Sequence, residues 1–263
     1  MTYIFGIVFS TATIILAISH LQQEAHNFWD FVGFVCVVGG TFSVAIMTFP
    51  WQYKKQIFSS VKKLIFNLSA SDKEVIDFSL KFISNPAAEP DLKNSRLKNS
   101  LSGQTLLDAH ELIGLGFGKE KVMQILDERI HQASERFQKV SMAFRSLAKY
   151  PPAFGLTGTV LGLVTLMRKV SEGGDAKQTG VMMAIALMAT FYGLLTANLV
   201  INPAGENLAK INSTEKKQAE ICLNAVAMYF EGATLLEAQE LLNSYASPEN
   251  RTSLLSQYME EAS

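Results

Sequence analysis

Four long apolar runs constrain this chain more than anything else in it. They are YIFGIVFSTATIILAIS (3–19), FVGFVCVVGGTFSVAIMTF (31–49), the stretch from Tyr150 to Met167, and TGVMMAIALMATFYGLLTANLVI (179–201). A hydrocarbon core of about 30 Å takes about 20 apolar residues in a helix, so each run is long enough to span a bilayer. Buried helices of a soluble core are the alternative, and four uncharged runs of this length argue against it. The first run has no Lys or Arg ahead of it and no clear cleavage site, so it is read as a retained span rather than a signal peptide. The expected fold class is an all-α membrane protein with four transmembrane helices. A large helical cytoplasmic loop separates the second from the third, and a helical cytoplasmic tail follows the fourth.

Basic residues orient the spans. The turn from His20 to Asp30 has no Lys or Arg, whereas WQYKK, Lys62 and Lys63 follow the second span and Arg145 and Lys149 precede the third. Both termini and the large loop are therefore placed in the cytoplasm, against the smaller count of Arg168, Lys169 and Lys177 in the second outer turn. The segments expected are 1–50 (first helix pair), 51–149 (cytoplasmic loop), 150–203 (second helix pair, lining an ion path) and 204–263 (cytoplasmic tail). With 23 basic and 24 acidic residues the chain is not a nucleic-acid binder, and membrane lipid is its expected surrounding.

The polar segments read as helices. Ser71 with Glu74 three residues on predicts a capping box, followed by an apolar face of Val75, Phe78, Phe82 and Ile83. Pro86 and Pro90 break that helix, and a second one is expected near Thr105 to Leu115. From Lys119 a stripe of Val122, Leu126, Ile130, Ala133, Phe137, Val140, Phe144 and Leu147 runs up to Pro151 and Pro152, so one long helix is expected to enter the third span with a bend at the prolines. In the tail the apolar positions are Ile221, Leu223, Ala227, Tyr229 and Phe230. Cys36 and Cys222 lie far apart in apolar surroundings and read as buried thiols.

Small residues line one face of each of the last two spans. Gly155, Gly158, Thr159 and Gly162 fall at helical spacing in the third, and Ala186, Ala189, Thr190, Gly193 and Ala197 in the fourth. Such faces let helices approach closely, which is their plain structural role. The functional reading is a narrow polar path with Thr159 and Thr190 as oxygen donors, and Gly155, Gly158, Gly162, Ala186, Gly193 and Ala197 facing a partner. No span interior carries Asp, Glu, Lys, Arg or His. An ion-handling membrane protein normally needs an ionisable group in the membrane, so the carboxylate is expected from another chain. No catalytic motif or metal cluster is present, so neither an enzyme nor a metal site is expected.

At PPAFGLTGTVLGLV (151–164), AIALMATFYGLLTANLVINPAGENL (184–208), VVGGTFSVAIMTFP (37–50) and LLNSYASPENR (241–251) the sequence resembles the MotA/PomA family of flagellar stator proteins, within the MotA/TolQ/ExbB group. The resemblance implies five copies around two copies of a single-span MotB/PomB-like partner, which brings a membrane aspartate. It implies no cofactor, only a transported Na+ or H+ whose flow turns the pentamer against the rotor protein FliG in the inner membrane. By the same resemblance Pro152 and Pro203 couple ion movement to shape, Thr190 lies on the ion path, and threonine at Thr159 tilts the ion toward sodium. Arg96 fits the family's rotor-contact arginine, with Lys98 nearby. Gln104 stands where the family has glutamate, and Asp108 or Glu111 are the candidate substitutes. The competing readings are an ExbB/TolQ-like energiser of another envelope process, a stand-alone transporter, and a non-conducting scaffold.

Overall fold

The computed structural model describes residues 2–20, 29–49, 54–66, 70–86, 95–173, 175–248 and 251. Those residues are helical or connect helices, with no strand among them. The chain forms two compact units, Met1–Asn67 with Lys139–Ala209, and Leu68–Gln138 with Lys210–Ser263. Residues 54–66, 139–149 and 204–209 thus group with the spans, so compactness divides the chain elsewhere than at the borders expected at 50/51, 149/150 and 203/204.

In the first unit, α1 (Thr2–His20), α2 (Phe31–Thr48), α7 (Tyr150–Ser171) and α8 (Ala176–Leu195) realise the four apolar runs. All four are long and apolar enough to cross a membrane. Their apolar side chains point outward: Phe5, Leu16, Val32, Met47, Leu156 and Val164 are each 61–84% exposed or within that range. This is inside-out for water and ordinary for lipid. Amphipathic α3 (Lys54–Phe66) follows α2.

The second unit contains α4 (Asp72–Ser84), a 3₁₀ turn (Arg96–Asn99) and α5 (Leu101–Gly114). It also holds the first part of α6 (Lys119–Leu147), most of α9 (Asn202–Glu231), and α10 (Leu235–Asn243). Val75, Ile76, Leu97, Leu106, Val122, Leu126, Ile221, Cys222, Val226 and Leu242 share its core. Six of the eight residues in the long stripe are buried, from Val122 to Leu147, and Ala133 and Phe144 are half-buried. In the tail the buried face is Ile221, Cys222, Ala225 and Val226, so Leu223 and Ala227 lie at its margin rather than at its centre.

Ser71 caps α4, accepting from the Glu74 N–H at 3.2 Å. The Glu74 carboxylate accepts instead from the Arg96 N–H at 3.2 Å, tying the 3₁₀ turn to α4. A reciprocal capping box occurs at Thr234 and Glu237, and the Thr234 N–H and hydroxyl, both donating to the Glu237 carboxylate, hold it below its usual range. Helix α4 ends at Ser84 with Pro86 in the turn beyond it; Pro90 lies outside the described residues, as does the 249–250 part of the tail motif.

The single long helix expected into the third span is interrupted. Helix α6 stops at Leu147, Ala148 and Lys149 form a turn, and α7 starts at Tyr150 with its prolines in the first turn, where a missing N–H costs least. At the far end of the fourth span the opposite holds. Helix α8 does not stop at Pro203 but passes through a π turn (Thr196–Ile201) into α9.

Candidate functional site

Helices α7 and α8 meet along their small residues. A Cβ added to Gly155 would come within 2.8 Å of the Ala189 oxygen and 2.9 Å of the Thr190 Cα. One on Gly158 would meet Ala189 Cβ at 2.6 Å, one on Gly162 would meet Ala186 Cβ at 2.5 Å, and one on Gly193 would meet the Pro151 oxygen at 2.5 Å. Ala186, Ala189 and Ala197 are each 2% exposed. The residues expected to face a partner are therefore turned against one another, and their size is used by a seam within the chain. Periodicity placed them on common faces correctly; it carried no information on what each face meets.

That close approach brings two hydroxyls together. Thr159 Oγ1 and Thr190 Oγ1 lie 2.5 Å apart. Thr159 Oγ1 is also 3.1 Å from the Gly155 carbonyl oxygen and 3.0 Å from that of Ala186. Each hydroxyl has one proton to give. Four oxygens thus gather at one point of the seam, two hydroxyls that each carry one proton and two carbonyls that also serve their own helices. The cluster is neutral and carries no carboxylate or amine.

Asp30, the residue just before the second span, lines a cavity beside this seam. It caps α2, accepting from the N–H groups of Val32 at 3.2 Å and Gly33 at 2.8 Å. Its own N–H donates to Tyr192 Oη at 2.8 Å, and Phe34 packs edge-on to the Tyr192 ring. Gly33 lies against Ala189, so α2 begins level with the middle of α8. A cavity of about 260 Å³ between α2, α7 and α8 is lined by Asp30, Cys36, Gly158, Gly162, Thr165 and Ala186 among others. The sequence signal was present: an Asp directly before an apolar run containing glycine at its third position is an N-cap that leaves room for a neighbour.

At the other end of the seam Pro151 is buried and Pro152 half-buried against α8 at Gly193. Pro203 follows the π turn. Beside it Gly205 packs on Arg145, and Ser141 Oγ donates to the Gly205 carbonyl at 2.8 Å. An exposed Arg145–Glu206 ion pair at 2.9 Å closes this contact.

In the second unit Arg96, Lys98 and Gln104 are exposed. Gln104 borders a cleft of about 240 Å³ together with Asp108, Arg129 and Arg136. Asp108 is engaged by Arg129 at 2.9 Å, so the candidate substitute for the missing glutamate is held within the chain, whereas Glu111 is exposed. No group of three or more metal-ligating side chains occurs among the described residues. Burial pushes the Cys222 thiol up to about 12, although Ser79 donates to it. Cys36 is half-buried, with its thiol 3.7 Å from the Phe154 carbonyl.

Residues 97–221 match the model of the MotA/TolQ/ExbB proton channel family. An uncharacterized protein, YtxD, of Bacillus subtilis is 27% identical over 233 residues, covering 85% of this chain and 81% of its own length. Motility protein A of Borreliella burgdorferi is 26% identical, covering 86% of each. The fold matches a chain of the C. jejuni MotAB structure with a TM-score of 0.83 at 18% identity, over 96% of this chain and 98% of that one. The four spans and the helical segments around them describe a multi-pass inner-membrane protein, and in these likenesses the chain is similar to the MotA/TolQ/ExbB family and, within it, to MotA/PomA-like proteins.

Proposed function

We propose that the chain is the A-type subunit of an ion-driven flagellar stator. With a MotB/PomB-like single-span partner it conducts Na+ or H+ across the inner membrane and converts that flow into torque on the rotor protein FliG. The termini, residues 51–149 and residues 204–263 face the cytoplasm on this reading, as the basic residues after the second span and before the third favour. The observation that carries the proposal is the Thr159–Thr190 hydroxyl pair, with two backbone carbonyls, in a span pair whose interior has no ionisable residue. Such a site can pass a cation along and cannot by itself hold the charge that drives a turn, so a carboxylate from a second chain completes it. Pro152 and Pro203, at the inner ends of α7 and α8, are placed to convert occupancy into a change of helix shape.

Reconstitution tests this. Vesicles containing the purified chain alone are expected to conduct no ions, and vesicles containing it with a single-span partner bearing a membrane aspartate are expected to conduct. Conduction by the chain alone would instead make it a stand-alone transporter. A second reading draws on one observation: Gln104 replaces the glutamate of the rotor contact, and Asp108 is engaged by Arg129. This favours a driven machine other than the flagellar rotor. Loss of swimming on deletion, restored by the wild-type gene, decides for the rotor.

A further inference from the structure

The π turn at Thr196–Ile201 shifts the backbone hydrogen-bond register by one residue. The Asn202 N–H donates five residues back, to the Ala197 carbonyl, rather than four. Pro203 has no N–H at all, so the carbonyl four residues before it, that of Leu199, loses its regular donor. In a bilayer no water is at hand to replace such donors, and an unserved carbonyl is costly. Into this turn comes a hydroxyl from the far end of the chain: Tyr3 Oη donates to the Val200 carbonyl at 2.9 Å. Three other hydroxyls of α1 are used on α1 itself, with Thr11 donating to Val8, Thr13 to Phe9 and Ser19 to Leu16. Helix α1 also buries little, with Phe5, Phe9 and Leu16 at 68–73% exposure. A directed polar bond therefore joins α1 to the turn where apolar packing is thin.

We infer that Tyr3 is a positioning residue for the turn at Pro203. Its hydroxyl donates to the Val200 carbonyl of the wide turn, next to the Leu199 carbonyl whose regular donor the proline removes, and so favours the wide turn over a regular α-helical one at the inner end of the fourth span. The functional half of this inference rests on the stator reading; the structural half does not. The test is Tyr3→Phe, which keeps the ring and removes the donor, in the full chain with its membrane partner. Hydrogen exchange in nanodiscs is expected to quicken about threefold to fivefold at the amides of residues 196–206, the worth of one hydrogen bond, with exchange in α1 and α2 unchanged. A tyrosine that merely packs would loosen α1 itself and leave 196–206 as they were, and that pattern overturns the inference. In cells, Tyr3→Phe is expected to reduce ion-driven swimming speed severalfold at an unchanged amount of membrane-inserted protein. Faster exchange with normal swimming overturns the positioning role. If the wild-type chain drives no motility, the stator reading fails, and the exchange result still decides whether Tyr3 holds the turn.

Discussion

Gly193 and Gly39 are both glycines inside membrane helices, and their surroundings call for opposite outcomes on substitution. A methyl on Gly193 would meet Pro151 backbone at 2.5 Å and Pro152 Cα at 3.1 Å, atoms that cannot move unless the inner ends of α7 and α8 part. A methyl on Gly39 meets nothing within 4 Å. Gly193→Ala is expected to destabilise by about 1–3 kcal/mol through overpacking, and Gly39→Ala to stabilise by about 0.5–1 kcal/mol through helix propensity. Thermal unfolding in detergent should move Tm down for the first and up for the second. The spacing of small residues in the sequence made both seam faces legible. It could not say that each face is filled by the other, because periodicity fixes the side a residue occupies and not its neighbour. The same limit hid the contacts of Asp30, whose N–H donates to Tyr192 of α8. Cys222 supplies a second residue-scale expectation. Its folded value of about 12 lies above the ordinary thiol value of 9.0, so its contribution to stability is full below pH 9 and is lost as pH rises toward 12. At pH 8 the native chain should leave Cys222 unlabelled by a maleimide, and denaturant should expose it. Labelling of the native thiol at the denatured rate would contradict its burial.

Helices are legible from sequence where an apolar stripe must find a core, and the stripe from Val122 to Leu147 did so almost residue for residue. Their junctions are less so. Pro151 and Pro152 looked like a bend in a continuous helix, and the chain instead restarts there, since proline fits the first turn better than the interior. At Pro203 the helix continues, because the π turn absorbs one residue of misfit just ahead of it. This junction carries its own expectation. Pro203→Ala restores an N–H and removes the ring, so the segment from Ala176 to Glu231 can close into a regular helix. Stability should rise by about 1–3 kcal/mol, read as a higher Tm, and hydrogen exchange at 196–206 should slow. If the turn serves motion, swimming should fall although the protein is more stable. A variant both more stable and fully motile would remove Pro203 from the coupling and leave it a tolerated irregularity.

At the scale of the whole molecule the stator reading asks which ion the seam would pass. The chain brings hydroxyls and carbonyls to the path and no titrating group to the span interiors. A threonine hydroxyl does not exchange charge with a proton in the physiological range, so Thr159 and Thr190 add nothing a proton relay needs beyond orientation. For a partly dehydrated sodium ion they offer oxygen lone pairs in place of those of the water given up. Sodium is therefore the expected ion. Swimming speed should rise with external sodium at fixed pH, fall with phenamil, and survive a protonophore. Thr159→Ala removes one oxygen and the bridge to the Ala186 carbonyl, and should shift the sodium concentration for half-maximal speed upward without loss of membrane protein. The reverse pattern, sodium-independent swimming abolished by the protonophore, would assign protons. The two threonines would then only pin α7 to α8, and Thr159→Ala would act through the stability of the seam, lowering Tm and leaving the ion dependence where it was.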